Sequence, residues 1–339
     1  MFWWILLSVT AISAALLTDL LRRYAQRSGL IDHPNARSSH SQPTPRGGGL
    51  AIVATSLFGM TFLFAAHLIT LQTFVALAGG GIAVAVVGFA DDRHTLPARI
   101  RFAVHVGAAL WCLGWLGGLP PLGFAGEGPR LGWIGYVLGT LAIVWVLNLF
   151  NFMDGIDGIA ASEAVFITGA GAVLSWSAAP IAACAAAVVA AASAGFLFLN
   201  WPPAKIFMGD VGSGYLGYII VGLAIAAGHE SPPALWVWLI LGGVFFVDAT
   251  VTLARRSLRG DKVHEAHRSH AYQWLARRWR AHSPVTWSVV AINTLWLLPA
   301  ARLAQLHPTA AGWILLGALA PLIILVLIAG AGRQEPAVL

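Results

Sequence analysis

Eleven apolar stretches divide this 339-residue chain, near 2–21, 48–66, 73–90, 102–118, 133–150, 160–176, 181–199, 215–229, 234–253, 286–305 and 311–330. Each approaches the roughly 20 residues that carry a helix across the hydrocarbon core of a bilayer. With 58% hydrophobic and only 10% charged residues, no soluble fold hides so many long apolar runs. Backbone groups in lipid must pair within their own segment, so the expected fold class is all-α, a polytopic integral membrane protein of about eleven transmembrane helices. One transmembrane domain over 1–332, followed by a short cytoplasmic tail at 333–339, is the simplest organisation. Cys112 and Cys184 both fall inside spans, where packing thiols are expected rather than a disulfide.

Charge orients the spans. The Met-Phe-Trp-Trp start lacks the basic head of a signal peptide, and Arg22 and Arg23 follow the first span. That places the N-terminus outside and the C-terminus in the cytoplasm. The loops after odd-numbered spans, with the tail, then hold 18 of the 20 Lys and Arg residues, Arg130 and Arg302 being the exceptions. Trp3, Trp4, Trp133, Trp236 and Trp238 fall near outer ends, as an aromatic belt would. The net charge of +6 is thereby a topological signal and calls for no nucleic acid.

Polar groups in so oily a chain are expensive, and their placement is informative. The densest stretch is Asn148–Gly158, between spans five and six. Asn148, Asn151 and Asp154 lie three residues apart, so on a helix they span about 120° and face one ligand. Gly155 and Gly158 predict a break before Asp157. Oxygen ligands at a helix end suit Mg²⁺, which takes one or two protein groups and leaves the rest to water and phosphate; capping of two helices is the alternative. Asp91 and Asp92 close span three and need a cation, donors or water if both are ionised, with Arg99 and Arg101 following on a helix start.

Three further loops are polar. The first carries Asp32 to His40 and then Pro43-Thr-Pro-Arg-Gly-Gly-Gly49, whose glycines permit close approach of backbone to a ligand. The second, Asn200 to Gly214, contains Lys205, Asp210 and Ser213, with Gly209, Gly212 and Gly214 exposing N–H groups to an anion at a helix start. The last, Arg255 to His282, holds eight basic residues and His264, His267, His270 and His282. The spacing of His264, His267 and His270 allows zinc, but Arg268 between two of them opposes a metal, so phosphate or nucleotide contacts are favoured. Tyr272, Trp274, Leu275 and Trp279, interleaved with Arg277, Arg278 and Arg280, predict a helix lying on the anionic leaflet. Glu163 and Asp248, inside spans, are expected as buried hydrogen-bond partners. Of 14 acidic residues only Glu127 and Glu230 lie in outer loops, so one cytoplasm-facing site built from five loops is expected. A membrane transporter with an acidic cytoplasm-facing ion or substrate site is the rival, but it predicts polar residues at mid-span and on both faces.

Taken in order, Pro43-Thr-Pro-Arg-Gly-Gly, Asp91-Asp92, Asn148-x-x-Asn151-x-x-Asp154-Gly-x-Asp157-Gly, Phe207-Met-Gly-Asp210-x-Gly-Ser213 and His267-Arg-Ser-His270 resemble the motifs of the polyprenyl-phosphate N-acetylhexosamine-1-phosphate transferases, glycosyltransferase family 4. His-Arg-Ser-His, in place of the three histidines of the muramoyl-pentapeptide branch, is more similar to the O-antigen-initiating branch. The resemblance implies transfer of N-acetylhexosamine-1-phosphate from a UDP-sugar to undecaprenyl phosphate, with release of UMP, at a bacterial inner membrane. It implies Mg²⁺, with Mn²⁺ as a substitute, held by Asn151 and Asp210, and Asp154 and Asp157 near the metal or nucleotide. It further implies that Asp91 and Asp92 orient or deprotonate the lipid phosphate, and that Arg101, His267, Arg268 and His270 steady phosphates. Arg46, Asn148, Lys205, Gly209 and Ser213 complete the implied binding set. The implied partners are undecaprenyl phosphate, UDP-N-acetylhexosamine and the bilayer, with a homodimer allowed.

Overall fold

A computed structural model describes residues 1–34, 42–123, 128–261 and 267–334. Residues 35–40 of the first loop, Glu127, Lys262, His264 and the tail from 335 onward lie outside them. The chain forms α1 (Phe2–Ser28), β1 (Ile31–Asp32), β2 (Thr44–Pro45), α2 (Gly49–Ala65), α3 (Leu71–His94), α4 (Ala98–Leu116), α5 (Gly132–Met153), α6 (Ile159–Ser175) and α7 (Pro180–Asn200). It continues with α8 (Asp210–Glu230), α9 (Pro232–Leu241), α10 (Gly243–Leu258), α11 (Ala271–Trp279), α12 (Ser283–Ile292), α13 (Leu298–Leu306) and α14 (Ala311–Ala329). The two short strands pair antiparallel, a small exception to the all-α expectation.

Seven of the described helices are long and apolar enough to cross a membrane, or eight when α9 and α10, bent by 70° at Gly242, count as one span. This falls short of the eleven expected. Helices α2 and α6, at 17 residues each, rise about 26 Å and are short for a bilayer core. Helices α12 and α13 run on through a π turn at Asn293–Leu297, where the Asn293 amide donates to the Glu163 carboxylate at 2.6 Å. Glu163 therefore has the structural partnership expected of it.

The bundle is organised around α8. Its most apolar 18-residue window is 94% buried, against 17% for α1 and 28% for α14, whose apolar faces remain outside. Small residues let neighbours come close, as in other membrane bundles. Gly217 lies against the backbone of α5 at Leu147, and Gly80 of α3 makes room for Tyr218. Burying a phenol requires a partner: the Tyr215 hydroxyl meets Ser56 Oγ at 2.7 Å, and the Tyr218 hydroxyl donates to the Ala76 carbonyl at 2.6 Å. At its other end Glu230 accepts from the backbone N–H groups of Ile181 and Ala182, capping α7. Both ends of α8 are thus fixed, and its first residue is Asp210.

Candidate functional site

The N-terminus of α8 is a made anion site, and the anion is one of the protein's own. Asp92, at the end of α3, accepts from the backbone N–H of Asp210 at 3.0 Å and of Val211 at 3.2 Å, and pairs with Arg46. Helix dipole and unpaired N–H groups attract a carboxylate for the same reason they attract phosphate. Those N–H groups, expected from the sequence to receive a ligand anion, are taken by Asp92. Gly209, with φ of +76°, is required here, because a Cβ would lie 2.5 Å from an Asp92 oxygen. The glycines at 47–49 serve a similar end. Gly48 and Gly49 donate to the carbonyls of Phe207 and Met208 at 2.9 Å each, and Gly49 abuts the Gly212 backbone. They let loop meet loop, where approach to a ligand was expected.

Asp91 points the other way. Its oxygens accept from the Leu96 N–H at 2.5 Å and from Arg101 at 2.6 Å, and the same guanidinium reaches Asp210 at 3.6 Å. Asn151 donates to Ser213 Oγ at 3.1 Å and lies beside the Asp210 carboxylate. Helix α5 stops at Met153, and Gly158 takes φ of +74°, so the chain turns between Asp154 and Asp157 as the glycines predict. Burial first, then the carboxylates of Asp210, Asp92 and Asp157, push the Asp154 carboxyl well above its usual range. Arg46 pairs with Asp92, and Arg101 pairs with Asp91 and reaches Asp210, so Asp154 is the carboxyl of the group that faces like charges without a guanidinium.

The stretch from Asn148 to Asp157 lines two cavities. Asn148 and Asn151 line one of about 270 Å³ together with Arg101 and Asp210, and its other walls include Val84, Val87, Phe102, His105 and Leu147. Asp157 lines a larger one of about 610 Å³ with Arg268, Arg277, Arg280 and Phe207. Its carboxylate accepts from the Ala204 N–H at 3.1 Å and faces His282 at 3.2 Å, while Thr286 of α12 donates to its carbonyl. Asp210 and Asp157 thus belong to two neighbouring compartments, one with apolar walls and one rich in arginine.

The histidine segment is held from three sides. Asp248 of α10 accepts from the N–H groups of Ala271 and Tyr272, capping α11, which is the structural role expected of it. Tyr272 donates to the Phe152 carbonyl at 2.9 Å, tying α11 to the end of α5. After α14 the chain folds back: Gly332 donates to the Ser269 carbonyl at 2.7 Å, while Arg255 holds the Ala331 carbonyl at 2.6 Å and Arg259 that of Gly332. Helix α11 is consequently packed on protein through Tyr272 and Ala276, while Arg278, Trp279 and Arg280 at its end stay exposed.

Within that segment Arg268 lines the larger cavity, whereas His270 is buried at the start of α11 and lines neither. The His267 ring receives Ser269 Oγ at 3.0 Å. Burial, followed by His270 and Arg256, lowers its pKa to about 3. An unfolded imidazole protonates near pH 6.5. Between these values the unfolded state binds more protons, so the neutral ring costs the fold stability as pH falls from about 6.5 towards 3. We predict that melting temperature drops less between pH 7.5 and pH 5 in His267→Gln than in the parent protein. Equal drops would show that His267 titrates normally.

Of the residues singled out from sequence, Arg46, Asp91, Asp92, Arg101, Asn151, Gly209, Asp210 and Ser213 form one connected network, and Asn148 lines its cavity. Lys205 is exposed and lines neither cavity. Among the described residues no three His, Cys, Asp or Glu side chains form a metal cage. The Asp210 carboxylate, with the Asn151 side chain beside it, nevertheless fits an ion such as Mg²⁺, which takes one or two protein groups and keeps most of its sites for water and phosphate. Sequence reading missed His105, the Tyr272 tie and the returning segment at 330–333, none of which carries a motif.

The sequence profile of glycosyl transferase family 4 matches residues 73–228. A protein of Bacillus subtilis (strain 168) described as a probable undecaprenyl-phosphate N-acetylglucosaminyl 1-phosphate transferase is 32% identical over 272 residues, 79% of this chain and 75% of that one. The decaprenyl-phosphate N-acetylglucosaminephosphotransferase of Mycolicibacterium smegmatis is 34% identical over 313 residues, 77% of this chain and 75% of its own. A phospho-N-acetylmuramoyl-pentapeptide-transferase of Thermosynechococcus vestitus is 32% identical over 276 residues, 75% of this chain and 69% of that one. The likeness extends to the muramoyl-pentapeptide branch at the same identity as to the Bacillus protein, so a choice of branch rests on the histidine motif.

Proposed function

Because the chain belongs to glycosyl transferase family 4, we propose that it transfers an N-acetylhexosamine-1-phosphate from a UDP-sugar to a polyprenyl phosphate, releasing UMP. The observation that carries this reading is that one stretch, residues 148–157, lines two cavities of opposite character. Asn148 and Asn151 face an apolar-walled space containing Arg101, which suits a phosphate on a hydrocarbon chain. Asp157 faces an open, arginine-rich space of about 610 Å³, which suits a sugar nucleotide. Two substrates of opposite polarity would meet beside Asp210.

In the reaction an acceptor phosphate oxygen attacks the sugar-linked phosphorus. The new P–O–P bond forms as the bond to the bridging oxygen of UMP breaks, and its electron pair leaves with UMP. Phosphoryl transfer depends mainly on positioning and charge neutralisation. Arg101 is placed to hold the acceptor phosphate beside Asp210, and Arg268 and Arg277 line the space for the donor. Mg²⁺, held by Asp210 and Asn151, would neutralise charge on the donor diphosphate. A phosphate monoester with a second pKa of about 6 is already largely dianionic at neutral pH, so the chemistry requires no general base. Both Asp91 and Asp92 are occupied by donors, and we assign them to holding Arg101 and the start of α8. The proposal places the site at the cytoplasmic face of a bacterial inner membrane, with undecaprenyl phosphate as acceptor and O-antigen or related surface polysaccharide as the pathway. N-acetylglucosamine, which the relatives' names share, is the first donor to try.

The test is UMP release by purified protein given Mg²⁺, undecaprenyl phosphate and a panel of UDP-N-acetylhexosamines. Release that depends on both lipid and metal supports the proposal and names the donor. A folded protein that releases no UMP from any donor, and instead moves a solute when reconstituted in vesicles, would replace it with transport.

A further inference from the structure

The 270 Å³ cavity contains one polar side chain that no motif singles out. His105 lies on α4 one helical turn beyond Arg101, on the same face and further into the apolar part of the bundle. It is 9% exposed, no hydrogen bond joins its ring to another described residue, and its nitrogens are not among the fully enclosed polar atoms that lack a partner. A ring nitrogen that keeps access to a cavity pairs with whatever fills it, water or ligand. The ring shares the apolar part of its cavity with Val84, Val87, Phe102 and Leu147, and the polar part holds Arg101, Asn148, Asn151 and Asp210. The other polar side chains of the cavity have protein partners: Arg101 holds Asp91 and reaches Asp210, Asn151 donates to Ser213, and the Asn148 amide donates to the Val144 carbonyl.

We propose that His105 contacts substrate: a ring N–H donates to the phosphate of the membrane-bound acceptor, at the junction where phosphate gives way to hydrocarbon. This rests on the reading of the cavity as the acceptor's seat. A ligand spanning Arg101 at one end and Val84, Val87 and Leu147 at the other must be anionic and then apolar within a few ångströms. A phosphate monoester of a long hydrocarbon has that order of groups. His105 stands at the changeover, where a neutral donor meets a phosphate oxygen without adding a second full charge beside Arg101.

The experiment compares His105→Leu, of similar volume without a donor, with His105→Gln, which keeps an N–H donor. A hydrogen bond to a charged group supports an expected rise of about tenfold in acceptor KM for His105→Leu. Donor KM should stay within about twofold, and His105→Gln should recover most of the loss. The same loss is expected with farnesyl phosphate, since the contact is to phosphate and not to the distant chain. An unchanged acceptor KM in His105→Leu would overturn the inference, as would equal rises in both KM values with a lowered melting temperature, which is the mark of a packing role. A loss that vanishes with the short acceptor would overturn it too, by placing the ring against hydrocarbon. Failure of the parent protein itself to release UMP would instead count against the transfer reaction, so the two ideas fail separately.

Discussion

Asp210→Asn is expected to lower turnover by about a thousandfold or more while leaving the melting temperature within a few degrees. The carboxylate lies beside Asn151 and 3.6 Å from Arg101, at the edge of the apolar-walled cavity. Asparagine keeps the shape and removes the charge that would bind Mg²⁺. Electrostatic stabilisation of phosphoryl transfer supplies several kcal/mol, and losing the metal removes much of it. The fold should survive, because Asp92 is held by the backbone N–H of residue 210, which the substitution keeps. Relief of repulsion among four carboxylates also offsets the lost interaction with the helix dipole, itself about 0.3–1 kcal/mol. Turnover and melting temperature measured against added Mg²⁺ would check this. Near-normal kcat at saturating Mg²⁺ would remove Asp210 from the metal site.

Asp92→Asn should behave differently and lose stability together with activity. The Asp92 side chain is fully buried and accepts from Arg46 and from two N–H groups of α8. An amide keeps one acceptor oxygen, turns an NH₂ towards a donor and leaves Arg46 without its counter-ion. Breaking a buried pair from one side costs about 3 kcal/mol. In a chain of this size that corresponds to a fall of roughly 4 °C in melting temperature. Displacement of the Phe207–Asp210 loop should reduce kcat by about a hundredfold, with the pH profile of the remainder unchanged. A general base would give the opposite pattern, with full thermal stability and an altered acid limb. Asp92→Glu should not rescue, since Gly209 has no room beside the present carboxylate.

The all-α, many-helix membrane character was legible because apolar length is a local property of sequence, but the number of spans was not, since short and bent helices read as full spans. The turn between Asp154 and Asp157 was legible too, since two glycines at that spacing break a helix that would otherwise carry Asp157 away. Partnership at long range was not. Arg46 and Asp92 are 46 residues apart and Asp92 and Asp210 are 118 apart, so spacing alone could not show that one motif's carboxylate fills the other motif's helix end. The glycines at 47–49 and 209 were recognised as sites of close approach, but what approaches is protein backbone. His105 has no local signature, being one imidazole in an apolar run, and only the cavity around it distinguishes it from a packed core residue.

The returning segment at 330–333 gives the molecule a fixed order of assembly. The carboxylates around α8 are all present once residue 210 has been made, and the histidine segment once residue 270 has. That segment receives its last hydrogen bond only after α14 has been inserted and Gly332 has reached Ser269. A nascent chain therefore carries every motif for some 60 residues of synthesis before the histidine segment is tied to the returning chain. Ribosome-bound chains stalled before residue 330 should bind UDP-sugar more weakly than released protein, so that chemistry on the lipid waits until the whole bundle is in the bilayer.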